Sequence, residues 1–335
     1  MKKIFILCLS IFLLTGCGKV DKDKLIKNFK DSVLSSKSYK VNSKMEIYNA
    51  EDTFTYDIQV YYMDDDYFKV NMKNTMSNHE QVILRNDDEV YVATPSLNKS
   101  YKFVSEWPYN SSQSYILNSL VKDIEEDNEI EFEEVDDGYS LKVDVDYPNN
   151  ANLKYEKMYF DKKMNLKKVV VYDTEDIIAI KVEYTKIDYK ANLKTSDFDV
   201  DKLVDDVSKN MDDVESETTS SLEEIVYPLY IPANTYLKEK ETVNTENGER
   251  VILTFYGDKN FVLIEETSNV NEEFEIIPVY GDPLMLSNTI GALSTNSLTW
   301  TENNVDYYLA SDDLTTSEIL NIADSLNVTN IIEEK

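Results

Sequence analysis

The sequence predicts a mainly β, α+β protein: a large, strongly bent antiparallel sheet with one helix before it and one inserted, then a smaller α+β unit. Three observations carry this. Apolar and polar residues alternate over a long series of short segments, the period of strands with one buried face. Helical spacing is confined to three stretches. Between two regions that keep an apolar pattern, Asp205–Glu224 loses it and becomes acidic and rich in Ser and Thr, as expected of a solvated linker.

The elements follow in order. Lys24–Ser36 carries Leu25, Ile26, Phe29, Val33 and Leu34 at helical spacing. The period then becomes two: Val41, Met45 and Ile47 in one segment, Phe54, Tyr56, Ile58, Val60 and Tyr62 in the next, and Phe68, Val70 and Met72 in a third. Asp64-Asp65-Asp66 marks a turn between the last two. Further strands are expected at Gln81–Arg85, Glu89–Thr94 and Lys99–Val104. Trp107-Pro108 interrupts them, and Ser111 or Ser112 is placed to cap a helix bearing Ile116, Leu117, Leu120, Val121 and Ile124. The meander resumes at Ser140–Asp146, Tyr155–Phe160, Lys168–Tyr172 and Ile178–Tyr189. In the second unit, Arg250–Phe255 and Phe261–Glu265 flank Gly257-Asp258-Lys259-Asn260. A second hairpin joins Leu298–Trp300 to Asp306–Leu309 through Asn303-Asn304. Thr315 and Glu318 have capping-box spacing ahead of Ile319, Leu320, Ala323 and Leu326.

The organisation is therefore a segment 1–16, a sheet domain 17–204, an acidic linker 205–224 and an α+β unit 225–335. Lys2 and Lys3 precede an apolar run, Ile4–Leu14, too short to span a bilayer permanently but long enough for a signal-peptide core. Leu14-Thr15-Gly16-Cys17 resembles the lipobox of bacterial lipoproteins. The resemblance implies acylation of Cys17, cleavage before it, and residence on the outer face of the cytoplasmic membrane. Cys8 leaves with the signal, so the mature chain has no second thiol for a disulfide.

The formal charge is −30, and removal of residues 1–16 leaves 32 of the 34 basic residues against all 64 acidic ones. Such a surface disfavours nucleic acid and anionic headgroups, so the membrane partner is reached through acylated Cys17. Abundant Lys, Asn, Ile, Asp and Tyr fit an AT-rich Gram-positive genome.

Residues 85–124 carry a more specific signal. Arg85-Asn86-Asp87, Val90-Tyr91-Val92, Thr94-Pro95, Leu97-Asn98-Lys99-Ser100, Ser105-Glu106-Trp107-Pro108, Asn110-Ser111-Ser112-Gln113 and Ser119-Leu120-Val121 resemble the YdcC group of sporulation lipoproteins. That group belongs to the LolA/LppX-like superfamily, with GerS and the RseB/MucB regulators. The second unit resembles the small RseB C-terminal domain through its Trp300 hairpin and Glu318–Leu326 helix. The resemblance implies a half-open, curved sheet around a helix plug. Its concave face either forms a lipid-accepting cavity, lined by Phe54, Tyr56, Ile58, Val60 and Tyr62, or is packed core. Trp107, Pro108, Asn110 and Gln113 form either a turn with a helix cap or a contact surface at the cavity mouth.

Catalytic patterns are weak. Ser96-Leu97-Asn98-Lys99 matches S-x-x-K, but Pro95 precedes it among strands, no S-D-N exists, and Lys194-Thr195-Ser196 lacks the glycine of K-T-G, so it reads as a turn. The single His79 is expected at the surface. The acid runs Asp64–Asp66 and Glu125–Asp127 lack the ligand spacing of a calcium loop, and no cofactor or metal is implied. The leading expectation is a non-enzymatic lipoprotein that binds an envelope or cell-wall protein, an amidase among the possibilities, or a lipid-linked envelope component. The alternatives are a lipid or lipopeptide carrier and, last, a cell-wall hydrolase.

Overall fold

The computed structural model describes residues 19–327 except 50–51, 65, 88, 201, 203–221, 223–224, 246–247 and 269–273. The signal segment, Cys17 and nearly all of the acidic linker lie outside the described residues.

Helix α1 spans Lys22–Leu34, capped by Asp21, whose carboxylate accepts from the Lys24 N–H at 2.9 Å. Leu25, Phe29 and Val33 are buried at i, i+4 and i+8, whereas Leu34 is turned away and 60% exposed. The strands that follow are β1 (Ser38–Asn49), β2 (Asp52–Met63), β3 (Tyr67–Asn74), β4 (Glu80–Asn86), β5 (Glu89–Thr94) and β6 (Lys99–Val104). Helix α2 (Leu117–Glu126) leads to β7 (Glu131–Val135), β8 (Gly138–Asp144), β9 (Leu153–Asp161), β10 (Leu166–Asp173) and β11 (Ile178–Asp188). Burial along β1 and β2 alternates as the sequence requires.

With β15 (Glu275–Val279) at one end, the strand order is β15-β6-β5-β4-β3-β2-β1-β11-β10-β9-β8-β7, so the first strand lies mid-sheet and the chain crosses from one side of the sheet to the other between β6 and β7. That crossing carries α2. One core draws on α1, α2 and both halves of the sheet, which a twelve-stranded sheet achieves only by curving around the helices. Phe29 meets Phe160 edge-on at 5.5 Å. Burying side chains of this size contributes roughly 1.5–3 kcal/mol each. Strands β4 and β5 are buried on both faces because Phe198 and its neighbours cover the outer side, against Val82, Leu84 and Tyr91.

The second sheet contains β12 (Thr235–Thr245), β13 (Gly248–Gly257), β14 (Phe261–Thr267), β16 (Asp282–Met285), β17 (Ile290–Leu293), β18 (Ser297–Glu302) and β19 (Val305–Ala310), in the order β12-β13-β14-β19-β18-β17-β16. Helix α3 (Thr316–Asp324) closes its core with Ile319, Leu320, Ile322 and Ala323. Asn303 and Asn304 form the β18–β19 turn with φ of 48° and 60°, which asparagine tolerates better than most residues. The fold is thus the expected mainly β architecture, with two open sheets.

One strand crosses the sequence division. β15 (Glu275–Val279) leaves the second unit and pairs in parallel with β6, at the edge of the first sheet. Ile290 and Ala292 of β17 likewise belong to the first core. The two units are therefore docked through shared sheet and shared core.

Candidate functional site

A cavity of about 340 Å³ lies where the units meet. The first unit contributes Ile47 and Asn49 at the end of β1, Asn110 and Gln113 ahead of α2, and Tyr147, Asn149 and Asn152 in the β8–β9 loop. The second contributes Leu284 and Leu286 from β16 and the residue following it, and a single face of α3: Ser317, Leu320, Asn321 and Asp324, spaced i, i+3, i+4 and i+7. Polar bonds fix this geometry. The Tyr56 hydroxyl donates to the Ser287 carbonyl at 2.7 Å, the Asn74 amide donates to Asn288 at 2.7 Å, and the Ser287 N–H donates to Asp324 at 2.9 Å. Asn110 Nδ2 and Ser105 Oγ both donate to Asp282 Oδ1. Lys99 pairs with Asp306 at 3.0 Å, with its side chain only 13% exposed.

The sequence-predicted site residues separate. Asn110 and Gln113 reach this cavity. Trp107 and Pro108 do not: Trp107 is 2% exposed and meets Phe68 edge-on, and Arg85 donates to the Ser105 and Trp107 carbonyls at 2.8 and 2.9 Å, holding the indole in the core. The cis Trp107–Pro108 bond sits here. The row Tyr56, Ile58, Val60 and Tyr62 is core as well, with Phe54 packed against it. Exposures of 1% at Ile58 and 0% at Val60 mean that no water-sized space borders them. The apolar interior is filled by α1 and α2, so of the two readings of this row, cavity lining or packed core, the structure shows packed core.

The α2 cap is corrected. The helix starts at Leu117 after Ile116, which makes no side-chain cap. Ser112 turns inward instead: its hydroxyl donates to Asp123 at 2.7 Å and accepts from the Asp146 N–H at 2.8 Å. Asp123 faces the fully buried Glu156, whose carboxyl oxygens have no hydrogen-bond partner among the described residues. Burial, reinforced by the neighbouring Asp123, pushes Glu156 well above the carboxylate range. Burial also raises Asp123, to about 7.

His79 is half-buried rather than exposed, because the β18–β19 turn closes over it and forms, with Ser96, a second cavity of about 320 Å³. Burial pushes its imidazole down in pKa. Ser96 and His79 share no hydrogen bond, and Lys99 is committed to Asp306, so neither a serine–histidine pair nor an S-x-x-K dyad is assembled.

The cavity residues that the sequence reading missed are Tyr147, Asn149, Asn150, Asn152 and Asn321. They sit in Tyr147-Pro148-Asn149-Asn150-Ala151-Asn152, a run of Pro and Asn with the composition of a turn. Nothing local connects it with α3, over 160 residues later.

At the far edge of the second sheet, β12 is exposed along nearly its whole length. Tyr236 and Tyr256 are cross-strand partners, 67% and 62% exposed. Tyr227, Leu229, Tyr230 and Ile231, which lead into β12, are exposed too.

Comparison with known proteins identifies the lineage. The family model described as "Sporulation protein YdcC-like" matches residues 1–198. Sporulation protein YdcC of Bacillus subtilis (strain 168) is 33% identical over 331 residues, covering 97% of each chain. The chain belongs to the YdcC-like family. Among solved structures, MucB aligns over 92% of this chain and 98% of its own, at 10% identity and a TM-score of 0.33. A chain from the complex of the Clostridioides difficile CwlD amidase with the GerS lipoprotein covers 52% of this chain and 98% of its own, at 15% identity and a TM-score of 0.32. At such TM-scores these likenesses carry no argument about function.

Proposed function

We propose that this YdcC-like chain is a non-enzymatic binding protein of the sporulating Gram-positive envelope, tethered through acylated Cys17 to the outer face of the cytoplasmic membrane. Its partner is a protein of the envelope or cell wall, for which the sequence resemblance supplies a cell-wall amidase as a candidate. The observation that carries this reading is the exposed edge of the second sheet, with its aromatic and aliphatic side chains at the Tyr236 end. Among the described residues no strand pairs with the outer side of this eleven-residue edge strand, and the exposed aromatic and aliphatic side chains beside it favour adding a partner strand. The carrier reading finds no support in the first sheet, whose apolar face is occupied by its own helices.

The test is capture from sporulating cells by the full-length protein, with retained proteins identified by mass spectrometry. An envelope protein held by the wild type and lost by the Tyr236→Asp, Tyr256→Asp double variant supports the reading. Retention of no envelope protein, or equal retention by both forms, overturns it. The anchor is tested separately: Cys17→Ser should shift the protein from the membrane fraction to the soluble one.

A further inference from the structure

We propose that the junction cavity is a binding site for a neutral sugar chain, gripped by uncharged amide side chains from both units. This does not depend on the partner-binding edge, which lies on a different part of the molecule.

The lining excludes other ligand classes by its chemistry. Among the described residues no Lys, Arg or His lines the cavity, while Asp173 and Asp324 do, in a chain of formal charge −30. A phosphate, sulfate or fatty-acid carboxylate would meet repulsion with nothing to offset it. An acyl chain requires continuous apolar walls, and each wall here is interrupted by an amide: Asn110 and Gln113 on one, Asn149 and Asn152 on the second, Asn321 on the third.

The two acids are already engaged. Asp173 Oδ1 accepts from the Glu175 and Ile177 N–H groups, each at 2.8 Å, and Asp324 accepts from Ser287. Three amides are not: the side chains of Gln113, Asn149 and Asn321 make no hydrogen bond to another described residue. Each presents a donor and an acceptor side by side, the complement of a sugar hydroxyl or N-acetyl group, which gives and takes a hydrogen bond at once. Tyr147 and the aliphatic side chains of Ile180, Leu284 and Leu320 supply the apolar surface that the C–H face of a pyranose packs against. At about 340 Å³ the space lies in the range of small-ligand sites and is open enough for a chain to continue beyond one ring.

The proposal is tested with full-length protein in neutral detergent micelles, titrated calorimetrically with a tetrasaccharide of N-acetylglucosamine, a neutral glucose tetrasaccharide, and oleate. Saturable binding of either sugar is expected. Asn321→Ala and Gln113→Ala should each weaken it about tenfold, the loss of one well-placed hydrogen bond. Both positions lie outside the cores, so unchanged melting curves will separate lost binding from lost fold. The edge variant Tyr236→Asp, Tyr256→Asp should keep full sugar affinity. No saturable binding of either sugar overturns the proposal, as does sugar binding that neither amide variant alters. Oleate binding abolished by the same variants would assign the cavity to an acyl ligand and overturn it too.

Discussion

Gln81 of the first sheet grips the main chain of Ile290 in the second at two points. Its Oε1 accepts from the Ile290 N–H at 2.8 Å, and its Nε2 reaches the Ile290 carbonyl at 3.4 Å. The side chain is buried between the units, so this contact ties β4 to β17 in a place water does not compete. It turns an association of two sheets into one defined register.

Gln81→Leu keeps the volume and removes both bonds to Ile290 together with those to Thr94 and Thr289, leaving the buried Ile290 N–H unpaired. The expected cost is roughly 2–3 kcal/mol. It should appear as a lower urea midpoint with faster amide exchange at Ile290, whereas unchanged exchange there would mean that the clamp does not hold the units together.

Stability should fall as pH rises through the neutral range. Glu156 and Asp123 are raised by burial, so between the unfolded carboxylate range near about 4 and the folded value of about 7 at Asp123 the folded state binds more protons than the unfolded one. Stability present at low pH is lost across that window. Glu156→Gln should raise the melting temperature at pH 8 more than at pH 4.5. Glu265 and Glu302, each pushed by burial to about 7, maintain part of the slope. A variant with the wild-type pH profile would remove Glu156 as a source.

The capping box of α3 is complete: Thr315 N–H donates to Glu318 Oε2 at 2.8 Å, and Glu318 N–H donates to Thr315 Oγ1 at 3.3 Å. Thr315→Ala should cost about 1 kcal/mol, measured by thermal melting. Because α3 carries Asn321 and Asp324 into the cavity, fraying of its first turn should also loosen that wall near Ser317.

Ser96 should not react with penicillin. It lies in the turn Pro95–Leu97 between β5 and β6, with Lys99 held by Asp306, so nothing is placed to take its proton. Fluorescent penicillin should label wild type and Ser96→Ala equally little, and label that depends on Ser96 would restore the hydrolase reading.

Where the physics is local, the sequence was a good guide. The alternation in β1–β3, the stripe of α1, the Asn303-Asn304 turn and the Thr315 cap were all legible, because each is settled by neighbours within a few residues. β15 was not. Its five residues are few and interrupted by Pro278, which fits an edge strand, and the neighbour that makes it a strand lies some 175 residues earlier. β12 escaped because, with both faces exposed, it has no buried period to show. Ser112 looked like a cap because the residue type suits one, but the buried Asp123 claims its hydroxyl instead.

The sequence by itself determined that this chain makes strands with one apolar face and, among the described residues, three amphipathic helices. Only the tertiary structure decided what each apolar face meets. Alternation reports that Ile58 and Val60 are hidden, and is silent on whether a ligand or the protein's own α1 and α2 hide them. The same holds for the junction cavity: its amides come from segments far apart in the chain, and they converge only once Gln81 and β15 have brought the two sheets together.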